Sequence, residues 1–115
     1  MKESTPNKFG VLTDATKEII FEDKNFLAEI RIGFYQGKYY RGYKMEWKGS
    51  STGCGGGSSP ASINWQPFDT FQDARNDTID YLIDCFTGSP HPNGTSEKRV
   101  IQALIYAKHP QLSLF

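Results

Sequence analysis

Long apolar runs are missing from this chain of 115 residues. No stretch approaches the ~20 apolar residues that a membrane-spanning helix needs. The opening segment, Met1-Lys2-Glu3-Ser4-Thr5-Pro6, also lacks the apolar region of a secretory signal. The expectation is a cytoplasmic protein with no membrane partner. Excess charge is missing too, because 13 Lys plus Arg balance 13 Asp plus Glu. Proteins that coat nucleic acid by bulk electrostatics carry a surplus of positive charge, so the balance argues against that class. Cysteine is scarce: Cys54 falls in a glycine-rich stretch and Cys85 in a helical one. That arrangement suits two free thiols in a reducing compartment better than a disulfide framework.

The residue patterns of catalysis are equally sparse. His91 and His109 are the two histidines, and each precedes a proline in a turn, with no neighbour to orient it as a base. Cys54 has no Lys, Arg or His close in sequence to lower its pKa, and Cys85 lies on an apolar helical stripe, where a thiol acts as core. Histidine and cysteine pairs at zinc spacing are absent. The glycine-rich stretch contains no Gly-Lys-Ser/Thr sequence and so is no phosphate-binding loop. The chain reads as a non-enzyme, with no cofactor and no metal site.

What is present points to one small domain. Residues 1–24 are largely polar and read as a partly ordered lead-in containing a short strand at Ile19-Ile20-Phe21. Residues 25–110 read as a single α+β domain, and 111–115 as a separate terminal peptide. From Phe26 to Trp47 the pattern is a β-hairpin turning at Gln36-Gly37, where Gly37 supplies the positive φ of a tight turn. With a two-residue turn, paired positions sum to 73. Phe26, Ala28, Ile30 and Phe34 then face Trp47, Met45, Tyr43 and Tyr39 on one apolar side, interrupted by Arg41 opposite Ile32. The other side pairs Tyr35 with Lys38, Gly33 with Tyr40, Arg31 with Gly42 and Glu29 with Lys44. Gly49 to Pro60 reads as a flexible loop by composition, and Ala61 to Trp65 as a third strand. Thr70 and Asp73 announce a helix whose stripe of Phe71, Ala74, Thr78, Leu82, Cys85 and Phe86 is apolar, ending at Gly88 and Pro90. A second helix, capped by Thr95 or Ser96, runs to Lys108. The expected fold is a small antiparallel sheet, hairpin plus third strand, followed by two helices packed on one face: β-β-β-α-α.

Two surfaces carry chemistry of their own. Residues 26–48 hold five bases and two acids, and the hairpin side with Arg31, Tyr35, Lys38, Tyr40 and Lys44 could stack bases and neutralise phosphates of a single strand. An ordinary solvated strand face explains the same residues. On the first helix, Asp69, Asp73, Asp77, Asp80 and Asp84 recur at steps of four, four, three and four. They align opposite the apolar stripe, as a solvated face or a surface for a basic partner.

The final five residues are Gln111-Leu112-Ser113-Leu114-Phe115. QLSLF resembles the short linear motif by which bacterial proteins dock on the DNA polymerase sliding clamp, matching the family's preferred pentapeptide. The resemblance covers these five residues only. It implies that Gln111 occupies one subsite, that Leu112, Leu114 and Phe115 fill the other, and that Ser113 is tolerated. Physically, each large apolar side chain contributes roughly 1.5–3 kcal/mol on burial, which permits micromolar docking after ordering costs. Gln111 can fix register without charge desolvation. Alternatively, Leu112 and Leu114, two apart, form one face of a strand on the protein's own core. The functional expectation is an accessory protein of bacterial, phage or plasmid DNA metabolism that docks on the clamp. The competing expectation is a single-stranded nucleic-acid-binding module.

Overall fold

A computed structural model describes residues 3–49, 53–88 and 94–108. It shows an α+β fold of four strands followed by two helices: β1 (Thr16–Glu22), β2 (Phe26–Tyr35), β3 (Lys38–Gly49), β4 (Gly53–Ser59), α1 (Phe71–Gly88) and α2 (Gly94–Lys108). The strands form one antiparallel sheet in the order β1-β2-β3-β4. Helix α1 packs on β2 and β3, and α2 on β1 and β2. Among the described residues neither helix reaches β4.

The hairpin has the expected register at every position from Phe26↔Trp47 to Tyr35↔Lys38. Its turn places both central residues at positive φ, Gln36 at 50° and Gly37 at 76°. That backbone twist matches the twist of the flanking strands. The apolar side of β2 and β3 meets the helices in a core of Phe26, Ala28, Ile30, Met45, Ile79, Leu82, Phe86, Val100 and Leu104. The expected stripe of α1 enters this core through Ala74, Thr78, Leu82 and Phe86. The Thr78 hydroxyl is buried there and satisfied by donating to the Ala74 carbonyl at 2.7 Å. Thr70 caps α1 by accepting from the Asp73 amide at 3.0 Å.

Strand β1 is longer than the expected Ile19–Phe21 and carries a bulge, since Ile19 pairs with Glu29 but Phe21 with Ala28. A regular strand would send neighbouring residues to opposite faces. The bulge lets Ile20 and Phe21 both pack against the core while Ile19 stays more than half exposed.

Two expectations are corrected. The run read as a flexible loop, Gly49 to Pro60, contains strand β4, paired with β3 from Tyr43↔Ser59 to Gly49↔Gly53. The segment Ala61 to Trp65, read as the third strand, makes only one bridge, Val11 with Ser62, and a turn. The sheet is therefore completed by the glycine run. Packing explains why: a Cβ at Gly55 would lie 2.5 Å from the Trp47 ring, and one at Gly56 would lie 2.4 Å from the Met45 carbonyl oxygen. Here glycine allows close approach, and tertiary contact outweighs low strand propensity.

The sheet face opposite the helices is crossed by a clasp. The Leu12 amide donates to the Ala61 carbonyl at 2.8 Å and the Ile63 amide to the Gly10 carbonyl at 2.9 Å. Beneath it, Leu12 presses on Gly33, and the backbone at Pro60 and Ala61 on Gly42. Leu12 and Ala61 are both buried, so residues of the expected lead-in belong to the folded body.

Candidate functional site

All five residues of the expected nucleic-acid face lie among the described residues. Arg31, Tyr35, Lys38, Tyr40 and Lys44 share the sheet side away from the helices, as the register requires. The clasp crosses that side at Gly33 and Gly42, between the Tyr35–Lys38 pair and the Glu29–Lys44 pair. The cations face carboxylates: Arg31 donates to Glu29 at 2.8 Å, Lys38 to Asp69, and Lys44 lies 3.7 Å from Glu46. Glu29 and Lys44 are register partners as expected, yet each pairs with a neighbour on its own strand, Glu29 with Arg31 and Lys44 with Glu46. The Lys38 ammonium is raised above its ordinary pKa, and the Asp69 carboxyl lowered, first by their hydrogen bond and then by the opposite charge. Bases and aromatics are present on this side, but as a divided and locally neutralised surface.

The acidic row of α1 has work to do inside the fold. Asp69, which precedes α1 rather than lying on it, pairs with Lys38, Asp77 lies 2.8 Å from Arg41 Nε, and Asp80 accepts from Lys108 at 2.7 Å. Asp73 and Asp84 are exposed, and no cation lies within ion-pair distance of them among the described residues. Among those residues there is also no group of three His, Cys, Asp or Glu placed to hold a metal ion. Gln111 to Phe115, His91 and His109 lie outside the described residues.

A concave site that the sequence patterns did not reveal lies beside α1. It is a groove of about 410 Å³ lined by Arg41, Gly42 and Tyr43 of β3, Ser59 of β4, Trp65 and Gln66 of the following loop, and Tyr81 of α1. It exists because α1 covers β3 but stops short of β4. The Tyr43 and Tyr81 rings lie 4.9 Å apart and tilted, with their hydroxyls 3.2 Å from each other. The Tyr81 phenol is pushed up from its ordinary pKa, chiefly by that hydrogen bond and then by one with Cys85. Arg41 stacks over the Tyr81 ring at 5.1 Å while paired to Asp77. Trp65 is 56% exposed and Tyr81 37%.

The groove therefore combines aromatic walls, hydroxyl and amide groups, and one cation already neutralised. No protein-family model matches the chain, nor does any curated protein or solved structure. Function must be argued from residues. Arg41 was legible only as a polar interruption of the hairpin's apolar side, and Tyr81 as an unassigned residue of α1. Trp65 falls in the segment expected as a strand, Ala61 to Trp65. Their convergence depends on β4, which composition concealed.

Proposed function

We propose that this chain is a small non-enzymatic accessory protein of bacterial, phage or plasmid DNA metabolism. In this reading, Gln111, Leu112, Ser113, Leu114 and Phe115 dock on the replication sliding clamp. The observation that carries the proposal is the pentapeptide itself, with its polar anchor and three large apolar side chains.

The folded body is compatible with a terminal docking peptide. Among the described residues, its buried cluster is assembled from residues between Phe26 and Leu104. The end of α2 is anchored: the Ala107 carbonyl accepts from Arg75 at 2.7 Å, and Lys108 pairs with Asp80. Only His109 and Pro110 lie between that anchor and Gln111. Pro110 biases the residue before it toward an extended backbone, which suits a strand-like peptide entering a pocket. Docking in this way either brings the body to replicating DNA or competes with other clamp ligands.

The test is calorimetric titration of a purified bacterial clamp with the intact chain and with a chain lacking 111–115. Micromolar binding by the first and none by the truncated, still folded second is expected. Equal binding by both, or no binding by the intact chain, would rule the proposal out.

A further inference from the structure

The groove between α1 and β4 is lined by none of the residues of the proposed docking peptide among those described. We infer that it is a binding site for an extended, proline-containing peptide that carries a basic residue.

Three observations lead there. First, the walls are aromatic and open to water, with Trp65 56% and Tyr81 37% exposed. Flat aromatic faces take proline rings well, and a polyproline II segment loses little conformational entropy when it docks. Second, the polar groups suit a peptide backbone. Such a segment has no internal hydrogen bonds, so its carbonyls need donors, and the groove offers the Gln66 amide and, from the mutually bonded Tyr43–Tyr81 pair, one hydroxyl. A volume of about 410 Å³ is within the range of pockets for small ligands and suits a few residues of such a segment.

Third, the charge around the groove selects a basic ligand. The cation in its wall, Arg41, is already paired to Asp77 at 2.8 Å, which makes it a poor phosphate anchor. Asp73, Asp77 and Tyr81 follow one another at steps of four along α1, so carboxylates continue the ridge that forms the groove's wall. Asp73 is exposed on that ridge and Asp84 lies one turn beyond Tyr81, also exposed. An arginine or lysine flanking the proline would lie against these carboxylates. The same charges repel a nucleic-acid strand.

A random 12-residue peptide display library, selected against the intact chain, is the direct test. Enriched peptides should contain proline flanked by Arg or Lys. The best of them, titrated calorimetrically in solution, should lose at least tenfold affinity to Trp65→Ala. It should lose about threefold to Tyr81→Phe, which keeps the ring, and several-fold to the Asp73→Asn, Asp84→Asn double variant at low salt. Removing 111–115 should change nothing, which separates this inference from clamp docking. Failure to enrich any sequence would overturn it, as would enrichment of proline-free or acidic peptides. Affinity indifferent to Trp65→Ala and Tyr81→Phe would overturn it too. So would tighter binding of a 12-nucleotide single strand through Trp65.

Discussion

Arg75 on α1 grips Glu18 on β1 with two hydrogen bonds, Nε to Oε1 at 3.0 Å and Nη2 to Oε2 at 2.8 Å. Its third donor, Nη1, reaches the Ala107 carbonyl of α2 at 2.7 Å. One side chain thus ties the edge strand to both helices, and the Glu18 carboxylate favours its charged form against the cost of burial. Replacing Arg75 by Ala should destabilise the fold by about 2 kcal/mol, discounted for the partial exposure of Glu18. Arg75→Lys should recover less than half of that, because an ammonium cannot reproduce the fork. Urea denaturation of the three proteins checks this, and Lys matching Arg would refute the geometry.

The glycines on β3 and β4 separate contact from composition. A Cβ at Gly42 would meet the backbone of Ala61 at 2.4 Å, whereas one at Gly57 would find its nearest neighbour, the Tyr43 hydroxyl, at 3.7 Å. Gly42→Ala must force the clasp away from the sheet, an overpacking effect of about 1–3 kcal/mol. Gly57→Ala should stay within about 0.5 kcal/mol of the parent. Thermal unfolding of both variants decides the matter; similar losses would mean that the clasp does not press on Gly42.

The contrast also shows where sequence reasoning held and where it stopped. The hairpin was legible because alternation and a two-residue turn jointly determine register, so one slip would reverse every side chain. The first helix was legible from its cap and periodicity, down to Thr70 accepting from Asp73; the second was legible from periodicity, but it begins at Gly94, so the expected caps Thr95 and Ser96 lie inside it. Strand β4 was not legible, since Gly53–Ser59 shows no apolar alternation and its reason for being extended lies in Trp47 and Met45 on another strand. The bulge at Ile20 was likewise hidden, as consecutive apolar residues do not say which one is extra. The aromatic groove inherits the first of these difficulties. The proposed docking peptide is the opposite case, since its resemblance rests on five adjacent residues alone.

The Lys38–Asp69 pair gives a pH prediction. The Asp69 carboxyl lies below its ordinary value of 3.8 and the Lys38 ammonium above 10.5. A depressed carboxyl contributes stability that is complete above 3.8 and lost as pH falls through its folded-state value. A raised ammonium contributes stability that is complete below 10.5 and lost as pH rises through its own folded-state value. The pair is thus intact across neutral pH and weakens at both extremes. Both groups are exposed, so the measurable quantity is the titration itself. Carboxyl chemical shifts should place the Asp69 midpoint below that of an ordinary aspartate, and Lys38→Met should return it toward 3.8. An unmoved midpoint would show that Lys38 is not the cause.

Within the pentapeptide, single substitutions should distinguish docking from core packing. If Leu112, Leu114 and Phe115 enter a clamp pocket, Leu114→Ala and Phe115→Ala should each weaken clamp binding about 10- to 100-fold, the equivalent of roughly 1.5–3 kcal/mol of apolar burial. Gln111→Ala should cost a comparable factor by leaving its subsite's polar groups without a partner. Ser113→Ala should be nearly neutral, since a small side chain there is merely tolerated. None of the four should shift the midpoint of thermal unfolding by more than about 1–2 °C, as expected of side chains outside the core. Were these residues instead a strand on the protein's own core, Leu114→Ala would cost about 2–5 kcal/mol of stability. For a domain of this size that is a loss of roughly 10 °C or more. Paired clamp titrations and melting curves on the same four variants therefore give opposite patterns for the two arrangements.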